Sequence, residues 1–392
     1  MNAPTTVPST GFPVALQASS RPPSVGILTT YPPTACGLAT FSAALSESLN
    51  ANGADVSVVR IADGAHSRSG RVVGELVNGS PKSVAATSEV LNKSDVAVVQ
   101  HEYGIYGGPD GDEVVGILAA LTVPSIVVVH TVLKNPMPHQ RSVLEAIATL
   151  ADQVVVMSEA ARQRLCHGFD VDRHKVVTIP HGAAVPTAAP EPDSGRPTLL
   201  TWGLLGPGKG IERVIDSMKS LHMLPGRPRY LVAGRTHPKV LDADGESYRN
   251  ARIEQARRGG VADSVSFDAD YRRVSSLTSL VQSASVVVLP YDSTEQVTSG
   301  VLVDAIASGR PVVATAFPHA VELLGSGAGI VVDHDDPDAM TAALHKVVTD
   351  PHVAGAMADE ARRLAPSMAW PVVANAYLSL AQRLLTARAA IV

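Results

Sequence analysis

One rhythm constrains this chain more than any other feature. Short, uninterrupted apolar runs rich in Val and Ile are each followed by a polar or glycine-bearing loop and then by a segment of helical periodicity. The runs fall at 24–30, 55–61, 95–100, 125–129, 153–157 and 175–179, and again at 198–202, 230–233, 265–267, 285–289, 312–315 and 329–332. A strand that is apolar on both faces must be covered on both faces, which predicts parallel sheets sandwiched between helices. Helical patterns at 40–49, 211–221, 247–257, 274–282, 337–348 and 372–385 supply covers. The rhythm breaks once, at 183–197, where Pro186, Pro190, Pro192 and Pro197 stand among Ala, Glu, Asp and Gly with no period. A chain of 392 residues exceeds what one core usually spans. The expectation is therefore an α/β protein of two Rossmann-like domains: 21–185, a linker at 186–197, 198–370, and a last helical segment at 371–392. Residues 64–83 are polar and poorly periodic, and no element is predicted there.

Composition narrows the function classes. Hydrophobic residues make up 45% of the chain and aromatics only 4%, which suits Val- and Ala-rich strands under helices better than an aromatic-rich sandwich. The formal net charge of −5 argues against nucleic-acid binding, which wants a concentrated basic face. Cys36 and Cys166 have neither metal-ligand spacing nor a disulfide framework, as expected in a reducing cytoplasm, and neither is expected to be catalytic. Residues 1–20, rich in Pro, Ser, Thr and Ala, lack the basic start and apolar stretch of a secretion signal and read as a disordered tail. No apolar run approaches the ~20 residues a membrane helix needs. A cytoplasmic monomer or homodimer is expected, with peripheral membrane contact left open.

In open α/β sheets ligands collect at the C-terminal ends of strands, so the loops there carry the candidate chemistry. The loop 203–210, GLLGPGKG, lies between a strand and a helix. Gly203, Gly206 and Gly208 permit close approach of backbone to an anion, and Lys209 adds a point charge at the helix start. This is not a Walker A motif, because no Ser or Thr follows the lysine. Arg235, at the end of the next strand, offers a second cation from the same rim. The stretch 295–315, EQVTSGVLVDAIASGRPVVAT, follows another buried run. Thr298, Ser299 and Gly300 sit where the helix 301–308 begins, so free amides and the positive end of its dipole face a diphosphate-sized anion. Asp304 lies one turn further on the same face, placed to accept hydrogen bonds from hydroxyls. Gly309 ends the helix and Arg310-Pro311 prevents its continuation. An ordinary αβ turn of a parallel sheet is the plainer reading of the same residues.

The first half has matching features. Gly37 lies in the loop between the first strand and the first helix, where backbone can approach a ligand. The run 95–100 delivers His101, Glu102 and Tyr103 into the glycine-rich loop GIYGGPDGD, a set of imidazole, carboxylate and phenol suited to several hydroxyls. The run 125–129 ends in His130, the first-choice cleft histidine, against the alternative of a satisfied core imidazole. Ser158-Glu159 opens a helix as an N-cap pair, and Pro180-His181-Gly182 closes the last run as a turn; both read as structural.

The segment DAIASGRPVVA resembles the second half of the pattern E-x-F-G-x(4)-E-A-x-A-x-G-x-P-V-V of the retaining GT-B glycosyltransferases of family four, the group 1 or E-x(7)-E type. The resemblance extends over most of 24–385 and is strongest in the second half. It implies two Rossmann-like domains facing a central cleft, with the last helix crossing back onto the first domain. It implies a metal-independent transfer of a hexose, mannose or glucose favoured, from a nucleoside-diphosphate sugar to a hydroxyl acceptor, with no cofactor. On this pattern His130, Lys209 and Gln296 are catalytic. Gly37, Gly206, Gly208, Lys209, Arg235, Tyr271, Glu295, Gln296, Thr298, Ser299, Gly300 and Asp304 bind the donor, and His101, Glu102 and Tyr103 the acceptor. Three positions depart from the pattern: Gln296 and Asp304 stand where the two glutamates belong, with Glu295 as a stand-in one residue earlier, and Leu204 replaces the arginine of G-R-x(4)-K-G. Asp242-Ala243-Asp244, Asp268-Ala269-Asp270 and the acidic run 333–336 are not expected to bind metal, since two-residue acidic spacing is common by chance. Two rivals stand beside this reading: a sugar-nucleotide epimerase or hydrolase of the same fold, which needs an acid/base pair on the donor sugar, and a non-catalytic sugar-nucleotide-binding protein, which the three departures favour.

Overall fold

A computed structural model describes residues 22–187, 195–270 and 272–390. The tail expected at 1–20, most of the central part of the predicted linker and Tyr271 lie outside the described residues. The first sheet contains β1 (Val25–Thr29), β2 (Val56–Ile61), β3 (Val72–Leu76), β4 (Val96–His101), β5 (Ser125–Val129), β6 (Gln153–Val156) and β7 (Val176–Thr178), in the order 3-2-1-4-5-6-7. The second contains β8 (Thr198–Trp202), β9 (Arg229–Ala233), β10 (Val265–Asp268), β11 (Val286–Leu289), β12 (Val312–Thr315) and β13 (Gly329–Val332), in the order 10-9-8-11-12-13. Every pairing is parallel. The reason is visible in burial: β1, β4, β5, β8, β11 and β12 are buried at every residue, so both faces need a cover.

The strand missing from the sequence reading is β3, inside the unassigned segment 64–83. It lies at the sheet edge and is only partly buried, with Gly74 and Glu75 in its middle, so it never forms an apolar run. The helix Pro351–Met368 also has no counterpart among the predicted elements; it carries Pro366, tolerated in the last turn just before the chain bends at Ala369.

That bend links the halves. Helix Pro351–Met368 packs Ala361 and Met368 into the core beneath helix Gly300–Ala307. After Ala369, helix Trp370–Ala389 instead buries Val373, Ala374 and Tyr377 against Phe41 and Leu45 of helix Gly37–Ala51, on the first sheet. A second crossing runs beside it: Ala183 N–H donates to Met368 O (2.8 Å) and Trp370 N–H to Ala183 O (3.2 Å). No helix among the described residues is long and apolar enough to cross a membrane.

Each sheet reverses its strand order once, between β1 and β4 and between β8 and β11, and these are the crevices where an open α/β sheet takes its ligand. Four loops leave those strands: the Gly37 loop, the loop opened by Glu102 and Tyr103, the loop 203–210 and the loop 290–299.

At the crossing, a Cβ on Gly182 would stand 2.2 Å from Cε3 of Trp370. Gly182→Ala should therefore overpack the junction and lower the unfolding free energy by roughly 1–3 kcal/mol. Denaturant titration checks this, and an unchanged midpoint would show that the indole is free to move aside.

Candidate functional site

The second domain's wall is set by two glycines with no substitute. Gly210 (φ +62°) approaches Pro290 so closely that a Cβ would lie 1.7 Å from its carbonyl oxygen, and Gly234 (φ +132°) would place one 2.0 Å from Gly203 O. These contacts pin the loop 203–210 against the ends of β9 and β11. Gly206 faces Val240, with room for a Cβ only at 3.0 Å, whereas Gly208 (φ +88°) borders open space. Lys209 holds its Nζ 4.5 Å from the ring centroid of Tyr291, a cation–π contact. Burial pushes its ammonium below the usual lysine range, and no ion pair with a carboxylate forms at Lys209 among the described residues. Arg235 lies half-buried on the same rim, its carbonyl accepting from Leu205 N–H (2.9 Å).

Helix Gly300–Ala307 follows the loop that carries Tyr291, the ring under Lys209. Of the amides at its start, Leu302 N–H donates to Oγ of the N-cap Ser299 (3.2 Å) and Ser299 N–H donates to Nδ1 of His319 (2.9 Å). Among the described residues the open pair is therefore Gly300 and Val301, the orphan donors of a first helical turn. The sequence reading placed the anion-binding amides at Thr298–Gly300; the His319 imidazole, which that reading did not use, takes one of them. Thr298 Oγ1 is buried with no hydrogen-bond partner. Gln296 turns its side-chain amide onto Thr298 O (3.0 Å), so it braces its own loop. Glu295 lies in the field of Arg164. Asp304 is half-buried, and desolvation alone pushes its carboxyl up to about 7.

From the first domain, His130 donates through Nε2 to Gln100 Oε1 (2.6 Å) and sits edge-on to Phe41, with centroids 5.0 Å apart. Burial, with smaller contributions from His181 and His101, lowers its pKa to about 3, so it is a neutral imidazole. Phe41 also packs against His181 (5.0 Å) and Trp370 (5.2 Å). His181 donates through Nδ1 to Gly182 O (2.7 Å), which leaves Nε2 unprotonated beside the start of the second domain's helix: a Cβ on Gly300 would be 2.8 Å from it. Sequence reasoning treated His181 as part of a turn. The available signal was an imidazole at a strand end, the criterion that selected His130.

Glu102 accepts from Thr131 Oγ1 (2.6 Å). Burial raises its pKa, while Lys239 of the second domain acts in the opposite sense across the cleft. His101 is fully buried with both ring nitrogens unpartnered, its ring edge-on to Tyr103 at 5.0 Å. Tyr103 Oη is likewise buried without a partner. Gly37 begins its helix after the N-cap Cys36, and a Cβ there would meet nothing within 4 Å. Among the described residues no cluster of three or more His, Cys, Asp or Glu could hold a metal ion. Asp268 is ion-paired with Arg272, and Asp242 and Asp244 end the helix Pro238–Asp244.

Two family models match the chain: Glycosyltransferase Family 4 over residues 35–185 and Glycosyl transferases group 1 over residues 196–350. Among characterised proteins, the D-inositol 3-phosphate glycosyltransferase of Kineococcus radiotolerans is 26% identical over 303 residues, covering 68% of this chain and 68% of that protein. The GDP-mannose-dependent alpha-(1-6)-phosphatidylinositol monomannoside mannosyltransferase of Mycolicibacterium smegmatis is 26% identical, covering 58% and 61%. Among solved structures, Anabaena HepE in complex with UDP-glucose superposes with a TM-score of 0.69 at 16% identity, over 91% of this chain and 98% of that one. A glycosyltransferase from Rickettsia africae gives 0.71 at 13% identity, over 92% and 98%. These likenesses are of fold, and the fold they share is GT-B.

Four imidazoles around this cleft, His101, His130, His181 and His319, have pKa values lowered by burial to about 4, 3, 4 and 4. A depressed imidazole contributes stability that is complete above its unfolded value near 6.5 and is lost as pH falls toward the folded value. Asp304 acts oppositely, its contribution being lost as pH rises through about 7. With four groups against one, lowering pH from 7 to 5 should depress the thermal unfolding midpoint, and His181→Asn should depress it less. Scanning calorimetry at the two pH values tests this; equal midpoints would mean that the imidazoles exchange protons freely with solvent.

Proposed function

Because the chain belongs to the family-four, group 1 glycosyltransferases of GT-B fold, we propose that it transfers a hexose from a nucleoside-diphosphate sugar to a hydroxyl acceptor, with retention of configuration and without a metal ion. The observation that carries this reading is a half-buried Lys209, without a carboxylate ion pair among the described residues, packed on Tyr291 in the loop that leads to the open amides of Gly300 and Val301. Both favour an anion with two phosphates. The diphosphate is the leaving group, so charge develops there as the bond from the anomeric carbon to the β-phosphate oxygen breaks. Lys209 and the two amides are in place before the reaction begins and stabilise that charge as it develops. The bond to the acceptor oxygen forms on the same face, and the acceptor's proton passes to the departing diphosphate.

Asp304 is placed to accept hydroxyls of the nucleotide ribose, and His130 and His181, both neutral, line the side where the sugar would lie. Thr298 Oγ1 offers an unused hydroxyl beside them. On the first domain, Glu102 and the unpartnered Tyr103 Oη suit a polyol acceptor. The relatives named for inositol phosphate and for GDP-mannose, and the neighbour solved with UDP-glucose, support mannose or glucose as the donor sugar and a phosphorylated or lipid-linked polyol as the acceptor class.

Incubation with a panel of UDP- and GDP-hexoses tests the reading. Nucleoside diphosphate with slow release of free sugar is expected in the absence of acceptor. Epimerised donor would indicate an isomerase, and tight binding without turnover a binding protein, an outcome that Leu204 and the inward-turned Gln296 would then explain. Lys209→Ala should cost on the order of 2–4 kcal/mol of transition-state stabilisation, read as kcat/KM, and turnover within threefold of the parent would remove Lys209 from its role. Activity should survive excess EDTA; loss restored by Mg²⁺ or Mn²⁺ would return Asp242, Asp244, Asp268 and Asp270 to consideration.

A further inference from the structure

Helix Glu159–Gly168 of the first domain is the element through which that domain meets the donor loop. Its N-terminal amides are not left to water. Ala161 N–H donates to Oγ of the N-cap Ser158 (2.9 Å), while Glu159 N–H and Ala160 N–H donate to Oε1 and Oε2 of Glu322 (2.9 and 2.7 Å), a residue of the second domain. A carboxylate on a helix N-terminus is favoured both by the orphan amides and by the dipole. Ser158 also reaches across: its hydroxyl donates to Val297 O (2.5 Å) from a site that is 2% exposed. One turn further along, Arg164 Nη1 donates to Glu295 O (2.6 Å) and to Val132 O (3.0 Å). Val132 belongs to the loop that follows His130, so one guanidinium joins the loop behind the cleft histidine to the loop that carries Gln296 and Thr298.

We propose that Arg164, Ser158 and Glu322 are positioning residues that hold the loop 295–297 in its sugar-binding shape only when the two domains are docked. The proposal rests on the reading of 295–304 as the donor site and adds a division within it. Lys209 packs on Tyr291, and the start of the helix carrying Gly300, Val301 and Asp304 is held by Ser299 and His319, all inside the second domain, while His181 only abuts Gly300, so the nucleotide half of the site persists when the domains part. The second domain holds Glu295 N–H on Ser293 Oγ (3.3 Å) and Gln296 O on His319 N–H (3.2 Å), but the carbonyls of Glu295 and Val297 accept from the first domain, so the sugar half is completed by docking. Transfer is thereby coupled to closure, because the same guanidinium that shapes the donor loop also anchors the His130 loop.

The test uses the full-length protein, with Arg164→Ala, Glu322→Ala and the milder Arg164→Lys and Glu322→Gln, and Asp304→Asn as a control outside the clamp. Calorimetry with UDP, GDP, UDP-glucose and GDP-mannose separates nucleotide from sugar contributions. Arg164→Ala is expected to weaken the sugar nucleotide, or its kcat/KM, by roughly ten- to a hundredfold, the range for a lost charged hydrogen bond, while free UDP or GDP changes less than threefold. Arg164→Lys and Glu322→Gln should recover part of the loss, which a general folding defect would not allow. Asp304→Asn should weaken free nucleotide as much as sugar nucleotide; if it changes neither, the donor-site reading itself fails. Small-angle scattering of the unliganded proteins gives a readout independent of ligand. Arg164→Ala and Glu322→Ala should increase the radius of gyration relative to the parent, and unchanged scattering together with unchanged sugar-nucleotide affinity would overturn the clamp.

Discussion

A parallel sheet buried on both faces has only its strand ends left for chemistry, and everything functional in this protein follows from that restriction. Helices occupy the two faces of each sheet, so side chains that must meet solvent or a ligand emerge at the C-terminal edge, most openly where strand order reverses. Two such edges face each other here. The β1 and β4 edge brings Gly37, Glu102 and Tyr103; the β8 and β11 edge brings Lys209 and the start of helix Gly300–Ala307. Helix Trp370–Ala389 keeps the edges opposed, because it continues from helix Pro351–Met368 in the second domain's core and buries its apolar face on the first domain.

The titratable groups around the cleft are withdrawn from water and respond accordingly. The four imidazoles are held neutral, Lys209 is depressed, and Asp304 is raised toward neutrality. The directions agree with one cause, loss of water, and not with ion pairing, which would have favoured the charged forms. Such a site is short of counter-charge for Lys209 and of hydrogen-bond donors for Asp304. Under the proposed function a nucleoside diphosphate would supply both, anionic oxygens to the lysine and ribose hydroxyls to the carboxylate.

Much of this was legible in the chain. Runs such as 125–129 and 285–289 announce buried parallel strands, and the glycine spacing around Lys209 announces a loop that something must approach. What escaped the sequence reading was of two kinds. Elements without a clean period were missed: the edge strand β3 needs only one covered face, and helix Pro351–Met368 contains a proline. The other class was long-range pairing. His319 lies 20 residues beyond Ser299, and Glu322 lies more than 160 residues from the helix it caps; neither distance leaves any trace in local pattern. His181 belongs to both classes, since its proline–glycine neighbours mark a turn while its ring closes on Gly300 from the other domain.

The central claim is that one diphosphate bridges the two rims of the second domain's crevice. A crystal structure with UDP or GDP bound tests it most directly. The expected result places phosphate oxygens within about 3 Å of the amides of Gly300 and Val301 and of Lys209 Nζ, with ribose hydroxyls on Asp304. A nucleotide bound elsewhere, or bound in this crevice with Lys209 and the two amides still facing solvent, would contradict it.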